Sequence, residues 1–284
     1  MKTCFKILGQ GAQGITYLTP DNKVIKVEAS KKKVLSRGDI FGLEVVPTFH
    51  PDIRKHFMQI YSVEFYEYNP LLDLKCLTDN SIFRYFKKSS FEKANLPIAR
   101  YYKVSIMENA GDKTAEAVLK TAKDYRELFT QLYVPICVMN YYGYFHNDLH
   151  MGNIMYSNNG VYKIIDYGIM PKKGSSSLNY ILFLMLQYRI KYNVSSITRL
   201  QRVIAPEEID EMEVPKKYAR FTNEYNIMYN LQEYVANLYY NEDTKAELVH
   251  KDKIFDDDTL LELVYLQDTE TDYKKLAEKI QKLV

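Results

Sequence analysis

The sequence predicts an α+β chain in two lobes, a small β-rich N-terminal lobe over residues 1–110 and a mostly helical C-terminal lobe over 111–284. Three patterns predict it. Phe5-Lys6-Ile7-Leu8 and Ile15-Thr16-Tyr17-Leu18 read as strands around a glycine loop, and Lys23-Val24-Ile25-Lys26-Val27 reads as a third strand after the turn Thr19-Pro20-Asp21-Asn22. Leu128, Leu132, Ile136 and Met139 recur at the three-to-four-residue spacing of a buried helix face. Between His146 and Gly168, the apolar segments Ile154-Met155-Tyr156 and Val161-Tyr162-Lys163-Ile164-Ile165 flank the turn Ser157-Asn158-Asn159-Gly160.

In the first lobe a helix is expected from Ser30 to Val46, weakened by Gly38 and Gly42. Strands are expected over 57–68 and 99–107. The stretch between them, about 71–96, mixes apolar residues with Lys, Ser and Asn and reads as an ordered insertion. In the second lobe, Thr114 to Lys123 has helical composition. A long helix follows from Asp124 to Tyr142, with Pro135 as a kink point. Beyond Gly168 helices are expected at about 177–192, 196–202, 206–212, 216–240, 257–266 and 270–283. The last is amphipathic, with Leu276, Ile280 and Leu283 on one face.

Composition narrows the class. A hydrophobic content of 46% supports a substantial core. With 38 basic and 36 acidic residues the formal charge is +2, so no global attraction to nucleic acid is implied. Lys31-Lys32-Lys33 reads as a solvated helix face. Cys4, Cys76 and Cys137 show neither a disulfide framework nor zinc spacing, which suits a reducing, cytoplasmic compartment. Met1 to Gly14 lacks the apolar core of a signal peptide. The apolar run Tyr180 to Leu186 is too short to span a bilayer.

The chemistry concentrates in one stretch, His146-Asn147-Asp148-Leu149-His150-Met151-Gly152-Asn153, followed by Ile164-Ile165-Asp166-Tyr167-Gly168. Asp148 and Asn153 are five apart, and Asp166 comes thirteen after Asn153. A hairpin of that length returns Asn153 and Asp166 to the same end. An amide oxygen and a carboxylate there, with a second carboxylate nearby, suit Mg²⁺ and a hydroxyl substrate. A single aspartate in a single loop is more often a turn or helix cap. Gly9-Gln10-Gly11-Ala12-Gln13-Gly14 is also a weak signal by itself, because a dinucleotide-binding fold carries it too. That fold opens a helix at the last glycine. Here β-branched and aromatic residues follow, so the loop sits in a hairpin, where glycines let backbone amides approach phosphate oxygens.

Taken together these stretches resemble the protein-kinase-like superfamily. Its pattern His-x-Asp-Leu-x-x-x-Asn, then Asp-Phe-Gly, reads here as His146-Asn147-Asp148-Leu149 with Asn153, then Asp166-Tyr167-Gly168. The resemblance implies a two-lobed kinase fold that binds ATP and Mg²⁺. By it, Gly9, Gly11 and Gly14 cover the phosphates, and Lys26, in a strand like Val-Ala-Ile-Lys, holds the α- and β-phosphates. Asp148 is the catalytic base, and Asn153 and Asp166 are the metal ligands. Phe49-His50-Pro51-Asp52-Ile53 resembles the entry to the fourth strand. Val104 to Gly111 resembles the hinge, with Met107 at the back of the adenine pocket and the backbone of Glu108 and Ala110 on the adenine edge. Glu44, 18 residues after Lys26, is the preferred ion-pair partner of that lysine; Glu28, on the same strand face, is the alternative.

Three departures bear on the acceptor. His150 stands where Ser/Thr protein kinases commonly carry lysine, and is counted among the candidate catalytic residues. Asp-Leu-His-x-Gly-Asn is similar to aminoglycoside and choline kinases. No Ala-Pro-Glu follows the metal loop, so the chain resembles compact, divergent kinases of the kind encoded by large DNA viruses or delivered by bacteria as effectors. The leading expectation is an ATP-dependent Ser/Thr protein kinase with a protein substrate. A small-molecule alcohol kinase and a non-catalytic kinase-like interaction module are the alternatives.

Overall fold

The computed structural model describes residues 6–10, 14–67, 101–172, 190–191 and 247–248, together with 259, 262–263, 265–266, 270 and 272–283. The 71–96 insertion, Gly11 and most of the helices expected between 177 and 258 lie outside the described residues. The chain divides into two compact units: residues up to His50 with Phe57–Ala110, and Pro51–His56 with Gly111 onward.

The first unit is built on one antiparallel sheet of five strands: β1 (Lys6–Gln10), β2 (Gly14–Leu18), β3 (Lys23–Ser30), β4 (Ile60–Tyr66) and β5 (Tyr101–Glu108), in the order β1-β2-β3-β5-β4. Alternation along the central strands splits their residues between two faces. Ile15, Tyr17, Val27 and Val104 form a buried cluster joined by Ile25, Tyr66 and Tyr102. The other parity of β3 and β5 carries Lys26, Glu28, Lys103 and Ser105.

The helix expected from Ser30 starts later. Residues 31–36 are not helical, and α1 spans Arg37–Ile40. A capping box sets that start: Ser36 Oγ accepts from the Asp39 amide at 3.1 Å, and Asp39 accepts from the Ser36 amide at 2.7 Å. The helix continues as a π-helical turn over Phe41–Val45 and a 3₁₀ turn over Val46–Thr48. Gly42 weakens the helix intrinsically but is required by packing, because the Ile60 side chain lies 2.5 Å from where a Cβ would be. Phe41, Phe49 and Phe57 pack edge-on and tilted around this segment, with centroids 5.5–6.1 Å apart.

The second unit is organised by α4 (Ala122–Tyr141), which follows a one-turn α3 (Ala115–Val118). Thr121 and Asp124 form its capping box. Leu128, Leu132, Ile136 and Met139 are all buried, as their spacing predicts. The helix runs through Pro135 and stops at Gly143, φ +76°, where Tyr144 N–H reaches Met139 C=O at 3.0 Å and Gly143 N–H reaches Asn140 C=O at 2.9 Å. Thr114, the first residue of the stretch expected as helix, belongs instead to β6 (Lys113–Thr114). It pairs with β7 (Ile154–Tyr156), which pairs with β8 (Tyr162–Ile164). Two further short strands, Ile190–Lys191 and Glu247–Leu248, pair with each other, so the helix expected over 177–192 does not extend through its last residues. The C-terminal α5 (Tyr273–Leu283) packs on α4 and buries Leu276 and Ile280.

Pro51–His56, which contains α2 (Pro51–Arg54), docks on β8. His56 C=O accepts from Ile164 N–H at 2.9 Å, and His56 Nδ1–H donates to Tyr162 C=O at 2.9 Å. Burial pulls the His56 imidazole down to about 4, a pull the Tyr162 carbonyl opposes and the nearby Lys55 and Lys163 reinforce.

Two predictions follow from these contacts. Gly42→Ala should cost about 1–3 kcal/mol through overpacking against Ile60, read as a lower Tm. For His56, the unfolded imidazole titrates near 6.5 and the folded one near 4. Between those values only the unfolded chain takes up the proton, so stability falls as pH drops through that window. The loss is on the order of 3 kcal/mol, and urea midpoints of the wild type and His56→Gln should diverge in pH slope only below about pH 6.5.

Candidate active site

In the second unit the chain arrives from Gly143 as an extended loop. Asn147 adopts φ +55° and Asp166 φ +59°, both in the left-handed region that Asn and Asp tolerate better than other side chains. The loop then closes on itself. Asp148 N–H bonds His146 C=O at 2.8 Å, Asn153 N–H bonds His150 C=O at 2.8 Å, and Asn153 Nδ2 donates to Asp148 C=O at 2.8 Å. Only the NH₂ of the amide can donate to a carbonyl, so Asn153 Oδ1 is left as the unused acceptor.

The register of the hairpin sets the rest. Ile154 pairs with Ile164, which places Asn153 opposite Ile165 and Asp166 one residue beyond. Ile165 is held on both sides: its N–H donates to Asn153 C=O at 2.9 Å, and its C=O accepts from His146 Nε2–H at 2.7 Å. Asn153 and Asp166 therefore leave the same end of the hairpin, as its length predicts. The turn closes through Ser157, whose Oγ bonds Val161 C=O at 2.8 Å, with Gly160 at φ +78°. Gln131 on α4 fixes the hairpin from behind: Nε2 donates to Gly160 C=O and Oε1 accepts from Tyr162 N–H, both at 3.0 Å.

His146 is buried, and its ring packs edge-on against Tyr167 at 6.1 Å. Burial holds it below the usual imidazole range; the Ile165 carbonyl, Asp166 and Asp148 push upward without reversing that. It is neutral, with Nε2 protonated and Nδ1 buried without a hydrogen-bond partner. This is a structural histidine. Tyr167, in place of the more usual Phe, uses its hydroxyl to bond Ile164 C=O at 3.1 Å. His150 Nδ1 accepts from Gly152 N–H at 3.1 Å and caps the 3₁₀ turn Met151–Asn153. The Asp148 carboxylate is half-buried and makes no hydrogen bond or ion pair among the described residues.

The first unit holds the other candidates. Gly9 lies in β1 beside a register shift, and Gly14 opens β2. Lys26, on β3, pairs with Glu28 at 3.1 Å. This corrects the expectation for Glu44: it lies on the exposed side of the π-helical turn, and the strand neighbour Glu28 takes the lysine. The reason is geometric. Residues two apart on a strand share a face, whereas α1 starts late and brings Asp39, not Glu44, inward. Glu28 also holds Lys103 at 2.7 Å, and Lys103 reaches Asp39 at 3.0 Å. Burial pulls the Lys103 ammonium down, but Glu28 and Asp39 more than reverse that and leave it raised. Met107 and Ala110 are buried, and Glu108 N–H bonds Gln59 C=O at 2.9 Å.

Residues 110–201 match the family model of the ABC1 atypical kinase-like domain. Over this stretch, about a third of the chain, it is similar to atypical members of the protein-kinase-like superfamily. No curated protein matches it. The matched stretch contains the loop and hairpin just described, with Asp148, Asn153 and Asp166. Sequence reasoning missed Asp39, Lys103 and Gln131 in this kinase-like chain. The signal for Asp39 was present: Ser36-x-x-Asp39 is a capping-box pattern, and it marks the true helix start.

The left-handed residue at the loop entry gives a direct test. Asn147→Gly should leave Tm close to wild type, while Asn147→Val should lower stability by about 1–2 kcal/mol, since a β-branched side chain fits φ > 0 badly.

Proposed function

We propose that this kinase-like chain is an ATP- and Mg²⁺-dependent phosphotransferase that moves the γ-phosphate to a serine or threonine hydroxyl of a protein. The observation that carries the reading is the double clamp on Ile165, which ties the Asp148–Asn153 loop to Asp166 at one hairpin end. The donor set fits a magnesium ion. Asn153 Oδ1 and the Asp166 carboxylate are hard oxygen donors, and among the described residues no cluster of three or more His, Cys, Asp or Glu side chains forms a metal cage. Mg²⁺ is commonly held by one or two protein groups plus phosphates and water.

When bound, Mg·ATP supplies the transferable phosphoryl group, and the metal offsets charge on the β- and γ-oxygens. Asn153 and Asp166 would hold the metal. Lys26 binds phosphate oxygens through its ammonium. Asp148, whose carboxylate makes no other bond among the described residues, accepts a hydrogen bond from the acceptor hydroxyl and takes its proton as the new O–P bond forms and the bond to ADP breaks. His146 and Gln131 act on the frame, through Ile165 and the hairpin turn respectively.

A second reading, a small-molecule alcohol kinase, is favoured by His150. Its Nδ1 accepts from the Gly152 amide, so Nε2 is the ring nitrogen left to offer here, where a protein kinase commonly offers a lysine ammonium. The reducing, cytoplasmic setting belongs to the same proposal; among the described residues no helix is long and apolar enough to cross a membrane.

The test is γ-phosphate transfer by the purified full chain, with generic acidic and basic proteins and a panel of aminoglycosides and amino-alcohols as acceptors. Label on protein is expected. Asp148→Ala should lower kcat by about 10²–10⁴-fold, the range for a general base, and Asp166→Ala should abolish the response to Mg²⁺. Label on small molecules alone would support the second reading. No transfer to any acceptor, with ATP binding intact, would reject both.

A further inference from the structure

The buried charges of the first unit form an alternating row, Lys26, Glu28, Lys103 and Asp39. Glu28 divides its two oxygens: Oε1 lies 3.1 Å from Lys26 Nζ and Oε2 lies 2.7 Å from Lys103 Nζ. Lys103 is held in turn by Asp39, at 3.0 and 3.3 Å from its two oxygens. Asp39 is fixed by the capping box, with Ser36 N–H and Oγ each 2.7 Å from Oδ2. The carboxylate beside Lys26 is thus oriented by groups other than Lys26. The third loop glycine takes part as well. A Cβ on Gly14 would lie 2.2 Å from Val27 O and 2.9 Å from Glu28 Cγ, so only glycine leaves room for this side chain.

We propose that Glu28 is the positioning residue of Lys26, an acid supplied by the lysine's own strand, and that Asp39 of α1 acts on it only through Lys103. The assignment rests on the phosphotransferase reading above. Lys26 and Glu28 are two apart on β3, so strand alternation alone puts both side chains on one face. The pairing does not wait on the position of a helix. Lys103 keeps the Glu28 carboxylate from turning away when Lys26 engages a phosphate. The supporting shell is then held by its own partners, which is what a precise site requires.

The experiment compares wild type, Glu28→Gln, Glu28→Asp and Glu44→Gln as full chains, with Tm measured on each. Two readouts are taken: kcat and KM for Mg·ATP, and the rate at which Lys26 is acylated by an amine-selective ester, followed by mass spectrometry at one pH. Glu28→Gln should lower kcat/KM by about 10²-fold, as expected for a misplaced positioning group, and should acylate Lys26 several-fold faster because the ammonium loses the Glu28 carboxylate. Glu28→Asp should recover part of both. Wild-type kinetics in Glu28→Gln would overturn the assignment, and so would a loss in Glu44→Gln as large as in Glu28→Gln. Should Glu28→Gln fail to fold, Glu28→Asp carries the test: reduced kcat/KM with faster acylation supports the assignment, and wild-type values in both overturn it. If the wild type neither transfers phosphate nor binds ATP, the phosphotransferase reading fails separately. Acylation then decides alone: faster labelling confined to the Glu28 variants upholds the pairing, and equal labelling in all four overturns it.

Discussion

Everything proposed for the second unit depends on how the backbone of Ile165 is held. A residue at the end of a strand ordinarily leaves one amide group to solvent. Here the N–H goes to Asn153 and the C=O to His146, two residues from opposite ends of one loop. Breaking either bond would strand a buried polar group, which is costlier than the bond itself is favourable. The clamp therefore makes the loop and the hairpin a single structural statement. It also explains the left-handed backbone at Asp166, because the chain must turn sharply once both groups of Ile165 are spent.

The first unit solves a different problem. Three charged side chains of one sheet face, Lys26, Glu28 and Lys103, and Asp39 of α1 are largely removed from water, and isolated burial of any one would be prohibitive. Their signs alternate, so each charge meets an opposite one, and the row as a whole is neutral. Such a row is weak evidence for stability, since apolar residues of similar volume often do as well or better. Its consequence is orientation. Lys26 stands at one end of the row, beside the Glu28 carboxylate, and Asp39 at the other.

The fold was legible where period and punctuation agreed. The 3.6-residue spacing from Leu128 to Met139 and the Ser-Asn-Asn-Gly turn both marked their elements, because burial of one face and a left-handed glycine leave unambiguous residue patterns. The helix start was misplaced by several residues. Propensity treats Ser30 and Ser36 alike, and only Asp39, buried and reaching back to Ser36, makes the second the cap. Thr114 opens a stretch of helical composition but pairs with Met155 of β7, a case of tertiary pairing overriding local preference.

The sequence by itself determined which chemical groups the candidate site has to work with. Asp148, Asn153 and Asp166 follow from motif spacing, and the hairpin length alone brings the last two to one end. Lys26 follows from its strand. What the tertiary structure decided is which neighbour orients each of them. Glu28 displaced Glu44 because side-chain alternation on a strand is rigid, whereas the inward face of a helix depends on where that helix starts. Gln131 and Lys103 carry no motif, and the capping-box pattern of Asp39 marks a helix start rather than a partner for Lys103; each is placed by elements distant in sequence within its own unit. Spacing along a chain can specify reactive groups locally, but the partners that hold them are chosen by long-range packing.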